Sequence, residues 1–255
     1  MVERSRHVDF EACFNFRDLG GYETLDGRHV RWHALYRSDT LHRLTPADAE
    51  EFDALGLRTV IDLRSHTELD DFGRLAVAGA HEWHHVPMLD DVKLALRGDA
   101  AAPEREAPPE ELAPGEGYVR IVQQFGDALA RVLDVLSRDD ALPAVFHCTS
   151  GKDRTGIVAA VVLELLGVPD EVIAADYVLT TRARERSSAW IEANEPDFAA
   201  FLATIPPERR VVSEETILGF LAGVRAEHGG IRELVDSIGV TDAQVAALRG
   251  RLLDA

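Results

Sequence analysis

Residues 155–167, TGIVAAVVLELLG, restrict the fold of this 255-residue chain more than any other stretch. Read as a helix, the segment is apolar on nearly every face, so other layers must cover it all round. Gly167 supplies the residue that stops it. Just upstream, residues 144–147 (AVFH) read as a short buried strand, and the ten residues HCTSGKDRTG (147–156) lead from that strand into the helix. A strand, a polar glycine-containing loop and a buried helix, in that order, predict an α/β domain.

The remaining elements follow from shorter signals. Residues 34–38 (ALYRS), 59–63 (TVIDL) and 81–87 read as strands. Thr45-Pro46 offers an N-cap and a first-turn proline for a helix to about Leu55, which Gly56 ends. Apolar spacing from Tyr118 to Ser137 predicts one helix. Downstream of the buried helix the chain reads as helical over about 170–180, 182–194, 213–228, 230–237 and 241–253, a helical C-terminal portion spanning 170–255. Residues 97–117, RGDAAAPEREAPPEELAPGEG, break the pattern with prolines, acids and almost no large apolar side chain. They read as a mobile insertion; a lid and an idle surface loop both remain open. The organisation expected is a single domain over 1–255.

Charge and cysteine usage exclude several classes. A formal net charge of −18 opposes binding to nucleic acid or an anionic membrane surface. No apolar run is long enough to span a bilayer, and the opening MVERSRHVDF lacks the apolar stretch of a secretory signal. A cytoplasmic location is the default, with signal-independent export left open. Two cysteines, Cys13 and Cys148, cannot build a disulfide framework. A plain buried thiol is the favoured reading of Cys13, with a protective disulfide to Cys148 as the alternative. Only two lysines occur, Lys93 and Lys152, and the second lies inside the ten-residue loop.

That loop carries the chemistry. Between a strand and a helix, the N–H groups of a glycine-containing loop converge on an anion, and the helix N-terminus adds its own unsatisfied donors. Arg154 follows Cys148 closely enough for a curled loop to set sulfur and guanidinium around one group, and the fork of Arg154 suits phosphate oxygens. The same positive surroundings favour the thiolate of Cys148, the nucleophilic form. Thr155 offers a hydroxyl to that sulfur. A lone cysteine after a strand is usually a small buried hydrophobe. The whole combination at a strand-to-helix junction favours catalysis of phosphoryl transfer instead.

The loop HC-x-x-G-K-D-R-T-G resembles the signature of cysteine-dependent phosphatases, and specifically that of the bacterial tyrosine-phosphatase family. NFRDLGGY (15–22), LYRSDTL (35–41), LGLRTVIDLRS (55–65), ADYVLT (175–180) and the tail GGIRELVDSIGVTDAQVAALRGRLL are similar to segments of that family in the same order. The resemblance implies a mainly parallel central sheet flanked by helices. It also implies two chemical steps through a phosphocysteine on Cys148, with inorganic phosphate as product and no metal or other cofactor. Arg154 and the loop residues Thr149, Ser150, Gly151, Lys152, Thr155 and Gly156 would hold the phosphate. Arg17 and Arg64, in shared segments, would add phosphate contacts; each is otherwise an ion-pair former.

The proton for the leaving group has no obvious source. Classical tyrosine phosphatases carry the acid on an upstream Trp-Pro-Asp loop, which this chain lacks; Glu195-Pro196-Asp197 reads as a helix start. Family members carry an aspartate where Asp153 stands, which makes it the first choice. The competing role is to orient Lys152 or Arg154. Asp18 is the second candidate acid, set against a turn role before Leu19-Gly20-Gly21. Phosphotyrosine or a broad phosphoester specificity is the favoured function. Phosphoinositide hydrolysis is the alternative, because Lys152 stands where lipid phosphatases carry a lysine, and a silent phosphate-binding module comes third. The histidines of HEWHH (81–85) fall on opposite strand faces, which spoils a shared metal. His147 is expected to support the loop.

Overall fold

A computed structural model describes residues 5–75, 81–89, 112–205 and 210–254. Five strands, β1 (Arg17–Asp18), β2 (Leu35–Ser38), β3 (Thr59–Asp62), β4 (Glu82–His85) and β5 (Ala144–His147), form one sheet in the order β1-β2-β5-β3-β4. The short β1 runs antiparallel to β2 at one edge, and the other four strands are parallel. In register, His147 at the end of β5 pairs with Ser38 on one side and Asp62 on the other. Parallel strands that end level leave a crevice at their carboxyl ends, the usual place for a ligand in such sheets. The cysteine loop leaves β5 at that place.

Alternation along β5 divides the interior in two. Val145 joins Tyr36, Val60, Phe10, Phe16 and Phe52 in a smaller core, which α1 (Ala49–Ala54) closes through Phe52. Ala144 and Phe146 face the larger core, built on α5 (Asp153–Leu166). In α5 every residue except Asp153 and Glu164 is buried, as the sequence predicts, and Gly167 caps it at φ 90°. The other helices are α2 (His66–Phe72), α3 (Glu116–Gln124), α4 (Gly126–Ser137), α6 (Asp170–Val178), α7 (Thr180–Asn194), α8 (Pro196–Thr204), α9 (Glu214–His228), α10 (Ile231–Ser237) and α11 (Asp242–Leu252). None of them is long and apolar enough to cross a membrane.

Two expectations need correcting and a third is extended. The helix predicted over Tyr118–Ser137 is two helices, because Phe125 leaves helical geometry (φ −115°, ψ 32°) and Gly126 packs against Ile238. A Cβ on Gly126 would lie 2.8 Å from Ile238 Cγ2. The insertion expected over 97–117 ends earlier: Gly115 is buried against α9 at φ 82°, and Glu116 opens α3. Most of that segment, 97–111, lies outside the described residues. Lastly, the Glu195-Pro196-Asp197 start is followed by a full helix, α8, which the apolar spacing alone did not reveal.

Candidate active site

Three groups behind the cysteine loop set its shape. Asn15 Nδ2 donates to the carbonyls of Ser150 (3.2 Å) and Gly151 (3.1 Å), and Arg37 Nη2 donates to the Gly151 carbonyl at 2.9 Å. The Thr40 N–H donates to the Thr149 carbonyl at 3.2 Å. In a trans peptide the carbonyl and the following N–H point in opposite directions. Drawing these three carbonyls backward therefore turns the N–H groups of Ser150, Gly151 and Lys152 to the other side, which makes a concave donor surface for an anion. Gly151 has φ 63°, and a Cβ there would lie 2.6 Å from Asn15 Nδ2 and 2.7 Å from the Ser38 carbonyl. Only glycine fits both demands.

Those groups are fixed in turn by a buried charge network. Asp39 accepts from the Cys13 thiol at 2.9 Å and from the N–H groups of Phe14 and Asn15 at 3.1 Å each, which locks the segment carrying Asn15. Asp176 of α6 takes Arg37 Nη1 at 2.6 Å, Arg17 Nε at 3.0 Å and the Tyr22 hydroxyl at 2.9 Å. Burial would raise the Asp176 carboxyl, but the two guanidiniums hold it well below the usual carboxylate range. Burial, helped by the charge of Arg17, brings Arg37 down to about 10. Loss of Asp176 would leave two guanidiniums without their carboxylate in the interior, the costly way to break such a group.

A second cluster grips Arg154. Ser65 caps α2, and Glu68 three residues on completes a capping box. The same Glu68 receives the Arg154 fork, Nη1 to Oε2 at 2.5 Å and Nη2 to Oε1 at 2.8 Å, and also accepts from the Thr149 hydroxyl. Burial pushes Glu68 up, but Arg154 more than offsets it and the carboxyl sits at about 2. Burial pulls Arg154 down, yet the charges of Cys148 and Glu68 leave it above its ordinary value. With two η nitrogens spent on Glu68, the guanidinium keeps further N–H donors for an anion. His147 lies between Asp62 (3.6 Å) and the Cys148 carbonyl (Nδ1 at 3.3 Å), and burial lowers its imidazole.

Beside the loop lies a cavity of roughly 110 Å³. Thr149, Ser150, Lys152 and Asp153 form one wall, and α7 and α8 supply Arg184, Ile191, Phe198 and Leu202 opposite. Arg43, paired with Glu195, and Arg210 complete the cationic part of the rim. Cys148 and Arg154, 2% and 9% exposed, do not line this cavity, which adjoins them through Thr149, Lys152 and Asp153. Two carboxylates among the described residues line the cavity, Asp39 and Asp153. Asp39 is spent on four donors, the three above and the Ser38 hydroxyl at 3.3 Å. Asp153 is half exposed at the start of α5, with the Tyr118 hydroxyl at 2.7 Å and Lys152 Nζ at 3.5 Å from Oδ1.

The structure thus brings together the whole run Cys148–Gly156, but not the three outlying residues. Arg17 is committed to Asp176 behind the loop. Arg64 is fully buried, bound to Asp62 at 2.6 Å and to the Gly73 carbonyl at 2.9 Å, because its carboxylate partner lies two residues away in β3. Asp18 accepts the N–H groups of Gly20 and His33 at 2.7 Å each; its carboxylate holds the bend and does not line the cavity. The buried Thr155 hydroxyl has no hydrogen-bond partner among the described residues. Cys13 bonds to Asp39 and Ser38, and His85 Nε2 to the Arg64 carbonyl. Among the described residues no cluster of three metal-ligating side chains forms. Glu68, Asn15, Arg37 and Asp176 escaped the sequence reading. Only Glu68 left a local trace, the Ser65-x-x-Glu68 capping pattern.

A buried cysteine and arginine at the two ends of a loop whose amides face one anion site, at the carboxyl end of a mainly parallel sheet, define a cysteine-dependent phosphatase. The chain belongs to the Tyrosine phosphatase family, whose pattern it matches over residues 8–254. It is 32% identical over 182 residues to a Cupriavidus necator protein that carries a tyrosine-protein phosphatase name, covering 69% of this chain and 64% of that protein, just under two thirds of its length. A tyrosine-protein phosphatase of Nostoc commune is 28% identical over 229 residues, 86% of this chain and 74% of its own. The triple specificity protein phosphatase PtpB of Mycobacterium tuberculosis is 28% identical over 283 aligned positions, 96% of this chain and 98% of its own.

Proposed function

We propose that the chain hydrolyses phosphate monoesters, phosphotyrosine first among them, through a phosphocysteine. The observation that carries this reading is the convergence on one loop of Cys148, the Glu68-braced Arg154 and the inward-turned amides. In the first step the Cys148 thiolate forms a bond to phosphorus while the bond from phosphorus to the leaving oxygen breaks. Asp153 gives its proton to that oxygen. Arg154 and the N–H groups of Ser150, Gly151 and Lys152 hold the equatorial oxygens as charge builds on them. In the second step water attacks phosphorus, the S–P bond breaks, and the Asp153 carboxylate takes the proton from water. Inorganic phosphate leaves, Cys148 returns as thiolate, and Thr155 offers its hydroxyl to the sulfur as it departs. No step calls for a metal.

Asp153 takes the acid role because the other cavity carboxylate, Asp39, is saturated by donors. A second reading, phosphoinositide or other polyphosphorylated substrates, draws on the cationic rim. Lys152, Arg184 and Arg210 around one cavity offer more positive charge than a single phosphate needs. The net charge of −18 weighs against docking on an anionic bilayer. The decisive measurement is phosphate release from phosphotyrosine, phosphoserine and phosphothreonine peptides and from soluble inositol phosphates, on wild type and Cys148→Ser. The expected result is fastest turnover of the phosphotyrosine peptide and no turnover of anything by the variant. Activity retained in Cys148→Ser would overturn the mechanism, and preference for inositol phosphates would select the second reading.

A further inference from the structure

The segment Ala175–Thr180 does more than carry Asp176. The next residue, Tyr177, places its hydroxyl 2.6 Å from that of Tyr118, and Tyr118 in turn reaches Asp153 Oδ1 at 2.7 Å. The direction of this chain follows from counting protons. With the acid proton on Oδ2, Oδ1 can only accept, so Tyr118 donates to Asp153 and must accept from Tyr177. Hydrogen bonds in series strengthen one another, so Tyr177 makes Tyr118 a better donor. Burial and the nearby Asp153 charge raise both phenols above their ordinary value, so both stay protonated in the working range of a phosphatase.

Both rings are held by packing. The edge of Tyr118 meets Phe220 of α9, ring centroids 6.2 Å apart. The ring of Tyr177 lies against Gly156, where a Cβ would come within 2.8 Å of Cε2. Gly156 belongs to the first turn of α5, the turn that begins with Asp153. The pair of tyrosines therefore fixes Asp153 relative to its own helix. Lys152 Nζ approaches the same oxygen, Oδ1, at 3.5 Å. With the Tyr118 phenol bonded to Oδ1, Oδ2 is the oxygen presented for the proton.

We propose that Tyr118, backed by Tyr177, is a positioning residue that anchors Asp153 through Oδ1 and turns Oδ2 toward the leaving group. The proposal rests on Asp153 being the acid. It also gives the ADYVLT segment a double duty: Asp176 shapes the anion cradle and Tyr177 steadies the proton donor.

The test compares kcat on phenyl phosphate, whose leaving group needs a proton, with kcat on 4-nitrophenyl phosphate, whose leaving group hardly does. The proteins are wild type, Tyr118→Phe, Tyr177→Phe, Asp153→Asn and the double variant Tyr118→Phe/Asp153→Asn. General-acid catalysis is worth about 10²- to 10⁴-fold, and loss of its positioning should remove part of that. Tyr118→Phe is expected to lower kcat on phenyl phosphate by about tenfold or more and on 4-nitrophenyl phosphate by under about threefold. Tyr177→Phe should show the same pattern more weakly, which covers the case of a Tyr118 variant that fails to fold. In the Asp153→Asn background, Tyr118→Phe should change neither rate. A uniform loss on both substrates, or an added loss in that background, overturns the proposal while leaving the acid standing. An equal loss on both substrates from Asp153→Asn alone removes the acid assignment, and the proposal falls with it.

Discussion

Arg154 and Glu68 make the sharpest residue-scale prediction, because their pairing is bidentate and buried. Glu68 has a carboxyl lowered from 4.5 to about 2 by Arg154 against the upward push of burial. A group whose value drops on folding stabilises the fold above its unfolded value, and that contribution fades as pH falls from about 4.5 through about 2. A shift of this size corresponds to about 3 kcal/mol. Glu68→Gln is expected to lower Tm at pH 7 and to flatten the acid limb of the Tm-against-pH curve, both measured by calorimetry. Its kcat/KM should fall by about tenfold or more, since the guanidinium loses the partner that aims it. A steady-state assay checks this, and an unchanged kcat/KM would show that Arg154 is aimed by something else. Cys148 and Arg154 were legible in the sequence because ten consecutive residues carry the chemistry. Glu68 was not, since its partner lies 86 positions away and the local pattern records only a helix cap. Arg17 and Arg64 fall away from the cavity for another reason: an arginine in a shared segment says nothing of whether it faces the ligand or a buried carboxylate, however near that carboxylate lies.

The strand-to-helix turn can be tested as an element through Gly151. Ala at this position must adopt φ 63° and place its Cβ within 2.8 Å of the Asn15 amide, the Ser38 carbonyl and the Asp39 nitrogen. Either the loop or the segment behind it must move. A left-handed alanine alone costs about 1–2 kcal/mol, a loss the rest of the fold can bear. Gly151→Ala is therefore expected to stay folded by circular dichroism while kcat/KM drops by about a hundredfold or more, as the inward amides lose register. Near-wild-type activity would show that the backward-drawn carbonyls do not matter. Among the elements, α5 was readable because no solvent-exposed face could accept its side chains. The break between α3 and α4 was not, because apolar spacing runs through it and its cause, Ile238, comes from beyond α10. Helix α8 was only half readable: its proline start was plain, but Phe198, Phe201 and Leu202 are too few to declare a helix by period.

At the scale of the whole molecule, an acidic protein presents a cationic rim of Lys152, Arg184 and Arg210 at its cavity. The overall field repels a dianionic substrate while the local one attracts it. Salt screens the two differently, since the Debye length at 0.1 M is about 10 Å and the rim acts at closer range than the distant surface acids. With a small dianion such as phenyl phosphate, kcat/KM is expected to change by less than about threefold between 0.05 and 0.5 M salt. Stopped-flow or initial-rate measurements would check it, and a steep fall would mean that attraction operates over long distances. The sheet was expected to be mainly parallel, but its strand order does not follow from periodicity, which cannot say that β5 inserts between β2 and β3. The anion cradle depends on that insertion, and on partners drawn from across the chain: Asn15 reaches the Gly151 carbonyl over 136 positions, and Arg17 reaches Asp176 over 159. A nascent chain emerging from the ribosome thus carries its nucleophile before it has the α6 carboxylate that steadies the cradle. Asn15, Arg37 and Glu68 are made before the thiol they serve, and the carboxylate that completes the set comes last.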